Sequence, residues 1–135
     1  MGDLGMGRIT KTSTTVRVLG WGRNQGRAGD CRFDARAGRA ILADFRRRGG
    51  RLRVDFYHQN LLSDEGPWAG TVRALRVVSP SKAGRRQPGL YATIAWAPRA
   101  AVGIARGELG QVEPVLKVRG CDRRVVGLHA VGLVA

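Results

Sequence analysis

The chain is poor in the residues that build metal centres, disulfide frameworks and nucleophilic sites. It has two cysteines, Cys31 and Cys121, far apart and without a CxxC companion. This excludes a disulfide scaffold and reads as two free thiols in a reducing compartment. It has two histidines, His58 and His129, and no ligand cluster around either, so neither a metal nor a cofactor is expected. Four serines, Ser13, Ser63, Ser79 and Ser81, fall in the N-terminal stretch or in loops. No apolar run approaches the roughly 18 residues that span a bilayer as a helix. The opening MGDLGMGRITKTSTTV lacks the apolar stretch of a secretion signal. The expected context is therefore the cell interior or a particle assembled there, with no membrane partner. Aromatics are scarce (three Trp, two Tyr, three Phe), and none interleaves with arginines as a base-stacking platform requires.

What the chain has in excess is positive charge. Against 10 acidic residues stand 24 Lys and Arg, 21 of them arginine, for a net charge of +14. Such an excess implies an acidic partner, a nucleic acid or an acidic protein surface; an Arg-, Gly- and Ala-favouring GC-rich genome is the bland alternative. Small clusters occur at Arg46-Arg47-Arg48, Arg85-Arg86 and Arg123-Arg124. The pattern implies diffuse electrostatic contact and not sequence reading. With 135 residues and 43% hydrophobic content, the chain is long enough for one core and too short for two.

Residues 1–15 are Gly- and Thr-rich without helical periodicity and read as an extended basic arm, with residues 16–135 as one domain. Val16 to Leu19 is a short strand, followed by the Gly-rich turn GWGRNQGRAGD. Asp34 is a good N-cap for the helix ARAGRAILADFRRRGG, which Gly49-Gly50 stops. Arg46 to Arg48 suit the negative end of its dipole, a reading preferred over a DNA-binding patch. Leu52 to Tyr57 alternates as a half-buried strand, with Leu52, Val54 and Phe56 opposite Arg53, Asp55 and Tyr57. Strands are expected at Trp68 to Val78, Leu90 to Ala97, Gln111 to Arg119 and Arg124 to Val134. Pro98 opens a short helix at its tolerated first position. SPSKAGRRQPG, Ser79 to Gly89, is an exposed hairpin tip. The fold expected is mainly β: a single small β-barrel or folded antiparallel sheet of about six strands with two short helices. GWGRNQGRAG carries no Walker pattern and no GxGxxG after a suitable strand, so phosphate binding is a weak idea.

Several motifs, in order, resemble the prohead proteases of Mu-like tailed phages, relatives of the capsid-maturation proteases with a herpesvirus-assemblin-like fold. The helix DARAGRAILADFRRRGG leads into RLRVDFYHQNL, similar to the family's VDYxHQ strand. PWAGTVRAL resembles a strand around an Ala-Gly pair, here Ala69-Gly70. GLYATIAWAPRAAVGIARGEL resembles the family's Gly-Leu-x-Ala strand, tryptophan and short helix ending in Gly-Glu, here Gly107-Glu108. The resemblance runs from about Val16 to Val134 and implies that His58 occupies the catalytic histidine position. The family's next strand ends in Ser-Pro-Val with a nucleophilic serine. This chain has Val112-Glu113-Pro114-Val115, with Glu113 where the serine belongs.

A serine protease needs an Oγ within hydrogen-bond reach of a base, and a glutamate cannot form the same acyl-enzyme. Its charge is expected to pair with His58 or a nearby arginine. His58 and Glu113 are thus vestigial candidates, and no catalytic residue is expected. His129 reads as packing, Asp55 as equally a surface ion pair or a functional acid, and Trp21, Trp68 and Trp96 as core or interface anchors. The chain also stops after its last strand, where the resembling enzymes continue into scaffolding regions. The expectation is a cement or decoration protein of a tailed-phage head, located in the virion. Its expected partners are the major capsid protein and a second copy of itself, with Arg8, Lys11, Arg85, Arg86, Arg123 and Arg124 as candidate contacts. A basic nucleic-acid-associated head protein, and an active maturation protease with an unrecognised nucleophile, are the alternatives.

Overall fold

The computed structural model describes residues 13–26, 29–56 and 68–134. Arg8, Lys11, Tyr57, His58, Ser63 and most of the expected arm lie outside the described residues. Eight strands and two helices follow in order: β1 Ser13–Gly20, β2 Gly22–Gly26, β3 Gly29–Phe33, α1 Ala35–Arg47, β4 Leu52–Phe56, β5 Trp68–Val78, β6 Gly89–Trp96, α2 Pro98–Ala105, β7 Gln111–Val118 and β8 Val125–Val134. A 3-10 turn at Pro80–Lys82 lies between β5 and β6. Six strands form one sheet in the order β1-β6-β5-β4-β8-β7, curled into a half-barrel, and β2 and β3 form a second, two-stranded sheet. Among the described strand pairings β4–β8 is the parallel one, and an isolated parallel bridge joins Arg32 to Arg124. The two edge strands, β1 and β7, approach each other as the sheet curls. Val16, Val54, Val72, Ile94, Val131 and Leu133 are among the fully buried side chains that fill it.

The start and stop of α1 are local chemistry. Asp34 caps it, its Oδ1 accepting from the Ala37 N–H at 2.9 Å. At the far end Gly49 and Gly50 take φ of 86° and 72°. Gly50 N–H donates to the Phe45 carbonyl and Gly49 N–H to that of Arg46, the two bonds of a Schellman motif. Ala37, Gly38, Ile41 and Phe45 form its buried face. Pro98 opens α2 as expected, and no described helix is long and apolar enough to cross a membrane.

Three expectations change. The Gly-rich stretch after β1 is a hairpin, with Gly22 paired to Phe33 and Asn24 to Cys31. The Asn24 side chain accepts from Gly20 N–H at 3.0 Å and donates to the Gly20 carbonyl at 2.8 Å, fixing the entry to this hairpin. Arg32 N–H donates to the Arg123 carbonyl at 2.9 Å, tying the small sheet to the β7–β8 turn. Second, Ser13 to Thr15 belong to β1, paired with Ala95, Ile94 and Thr93. Two threonines there make long-range bonds: Trp96 Nε1 donates to Thr14 Oγ1 at 3.1 Å, and Thr15 Oγ1 lies 2.9 Å from Thr93 Oγ1. Third, β4 is covered on both faces. Asp55 is fully buried, so its contact with Arg53 is an internal ion pair and not a surface one.

Candidate functional site

The strand pairings place Glu113 before any appeal to resemblance. Glu113 pairs with Gly132 on β8, and Gly132 pairs with Asp55 on β4. Residues in register across a sheet share a face, so Glu113 and Asp55 lie on one face, two strand spacings or about 10 Å apart at their backbones. Gly132 puts no side chain between them. The adjacent row, Val112, Leu133 and Phe56, lies on the opposite face. His58 is outside the described residues. Glu113 is half-buried on the edge strand.

Asp55 is held by Arg53, whose Nε lies 3.2 Å from Asp55 Oδ1; the Arg53 side chain is 10% exposed. His129, on β8, is half-buried, and its backbone carbonyl accepts from Arg48 Nη1 at 3.2 Å. Burial first, then the nearby Arg48, Arg53 and Lys117 charges, lower its imidazole pKa, against the pull of Asp55. It is therefore neutral at pH 7, as a packed histidine should be.

Burial pushes the Cys31 thiol up, with Arg123 opposing less strongly. Cys121 is exposed. Ser79 Oγ and Ser81 Oγ lie 3.2 Å from each other in the exposed β5–β6 connection, and Ser13 is exposed at the start of β1. No group of three or more His, Cys, Asp or Glu gathers as a metal site among the described residues.

Clefts open on the surface among the described residues. One, of about 510 Å³, has Val102 and Leu109 in its wall with Arg99 and Arg106 beside them; the Arg99 guanidinium lies 5.7 Å from the Phe56 ring centre. Another, of about 390 Å³, lies between the β2–β3 hairpin and the β7–β8 turn and is lined by Arg23, Asp30, Cys31, Arg32, Asp122 and Arg123.

The candidate contact arginines fall into three groups. Arg85 and Arg86 are exposed, with Arg86 over the Tyr91 ring at 5.5 Å. Arg123 takes a left-handed φ of 58° and its Nε donates to the Asp30 carbonyl at 2.9 Å. Arg124 is only 16% exposed, its Nε 3.1 Å from Asp34 Oδ2 and its Nη1 3.1 Å from Asp122 Oδ2. Arg123 ties the β7–β8 turn to β3, and Arg124 ties it to the cap of α1. The sequence could not show that pairing, because Asp34 and Arg124 meet only in the folded chain. Asp122 itself is held well below the usual carboxylate range, first by the Arg119 hydrogen bond and then by the Arg124 backbone N–H.

No curated protein and no solved structure matches the chain. The family described as the Mu-like prophage I protein, N-terminal domain, matches residues 16–135, which takes in every described strand and both helices beyond the first residues of β1. The resemblance seen in the motifs and this match agree on a Mu-like phage family, and the chain belongs to the Mu-like prophage I protein N-terminal domain family.

Proposed function

We propose that this domain is a structural protein of a tailed-phage head, a cement or decoration protein built on a protease-like fold that performs no acyl transfer. The carrying observation is Glu113. A carboxylate stands in the strand where the resembling enzymes place a serine Oγ, and it faces the side of the sheet that holds Asp55. A carboxylate there cannot make the ester intermediate of that chemistry. Membership in a Mu-like phage family supports the setting. A net charge of +14 supports an acidic shell as partner, with Arg85 and Arg86 as the exposed candidates on the β5–β6 connection. Among the described residues β1 and β7 are the edge strands of the sheet, and either gives a second copy a strand to pair with. Repetition on a symmetric shell turns weak contacts into firm attachment.

The test is to pellet purified phage heads with added protein across a salt series. Saturable co-sedimentation that falls with salt, and weakens in Arg85→Glu/Arg86→Glu, supports the proposal. A parallel reaction with a fluorophosphonate probe leaves the protein unlabelled. Labelling of any serine, or cleavage of scaffold or capsid protein, overturns the structural reading.

A further inference from the structure

Helix α1 carries a second feature that a shell contact at Arg85 and Arg86 does not use. At 100° per residue, Arg36, Arg39, Arg46 and Arg47 fall within an arc of about 100°, centred opposite the buried Ala37, Ile41 and Phe45. All four are exposed. Arg47 donates to Asp44 Oδ1 at 3.0 Å. Arg36, Arg39 and Arg46 have no acidic partner among the described residues. Between the two pairs the ridge holds only small side chains, Ala40 and Ala43.

Local helix stability accounts for half of this ridge. Arg46 and Arg47 sit in the last turn, where cations complement the dipole. Arg36 and Arg39 sit at the other end, where the dipole is positive, and the first turn holds no acidic residue. The dipole does not favour a cation at Arg36, and Arg39 lies beyond the first turn where the dipole acts, so helix stability does not account for this pair. The two pairs are centred nine residues apart, about 13.5 Å along the axis. The major groove of a B-form duplex is about 12 Å across. The ridge carries no Asn, Gln, Ser or Thr, and its arginines, which can read guanine, are spaced for the two phosphate strands.

We infer that α1 is a docking ridge for duplex nucleic acid. It lies across a groove with Arg36 and Arg39 on one phosphate strand and Arg46 and Arg47 on the other, and it binds without regard to sequence. The matched spacing of two basic pairs favours a duplex over an acidic protein surface, which has no fixed interval between charges. The inference does not rest on the shell proposal. Taken together, the two place the domain on the inner side of the shell, between capsid and DNA.

The experiment is fluorescence anisotropy of the full chain with a short labelled duplex of mixed sequence, repeated across a salt series. Arg36→Gln/Arg39→Gln/Arg46→Gln is expected to reduce the slope of log Kobs against log salt by about 2.7, at about 0.9 for each phosphate no longer neutralised. The matching triple Lys variant keeps the wild-type slope, and Arg85→Gln/Arg86→Gln leaves it unchanged. Two results overturn the inference. One is a wild-type slope in the triple Gln variant. The other is polyglutamate competing as well as the duplex at equal charge, which assigns the ridge to an acidic protein instead.

Discussion

Asp55 lies on the same face as Glu113, and its removal separates structure from chemistry. Its carboxylate is fully buried and its Arg53 partner nearly so. Asp55→Ala removes the buried carboxylate that faces Arg53 and is expected to cost roughly 3–5 kcal/mol in urea denaturation. Arg53→Met/Asp55→Leu removes both charges and is expected to cost less than Asp55→Ala alone. A double variant as unstable as the single one would show that the pair matters for its shape and not its charge. His129 gives the pH dependence. Its folded pKa is lowered below 6.5, so the unfolded chain takes up the proton first on acidification. Its contribution is complete above about pH 6.5 and is lost as the pH falls through the folded value. Asp34 and Asp44 are also depressed, Asp34 chiefly by the Ala37 N–H and Asp44 chiefly by the Arg47 hydrogen bond. Their contribution is present above about pH 4 and disappears as the pH falls through their folded values. His129→Gln is therefore expected to flatten stability between about pH 7 and 5 and to leave the steeper acid limb in place. An unchanged profile in that window would mean that His129 titrates alike in both states.

At the scale of elements, the β5–β6 pairing depends on one close approach. Gly70 pairs with Trp96, and a Cβ on Gly70 would collide with the carbonyl oxygen of Ala95. Backbone cannot swing aside as a side chain can. Gly70→Ala is expected to destabilise the domain by at least about 1–3 kcal/mol, read as a lower denaturation midpoint. A neutral outcome would mean that β5 shifts freely against β6. Elements whose signals are local were legible in the sequence. Asp34 and Gly49-Gly50 bracket α1, Trp68 to Val78 is β5 to the residue, and Pro98 opens α2. The β2–β3 hairpin was not legible, because glycine, arginine and asparagine show no apolar alternation and its anchors are the Asn24 side chain and the distant Arg123 carbonyl. The alternation of β4 was visible, but the burial of Asp55 was not, since it depends on what the fold stacks over that strand. Glu113 was singled out by its motif, while its alignment with Gly132 and Asp55 required the parallel β4–β8 pairing.

For the whole molecule, the charge and the fold point outward to different surfaces. The half-barrel leaves β1 and β7 as edges, α1 turns its arginine ridge away from the core, and Arg85 and Arg86 stand on the β5–β6 connection. By contrast, Arg123 and Arg124 serve the interior, joining the β7–β8 turn to Asp30 and Asp34. A maturation protease leaves the head or is destroyed once its work is finished, whereas a structural protein stays. Quantitative mass spectrometry of purified proheads and mature heads tests this difference most directly. A structural protein persists in mature heads, uncleaved, at a copy number comparable to that of the capsid subunits. Its presence in proheads and loss from mature heads would contradict the structural role and return attention to a hidden nucleophile.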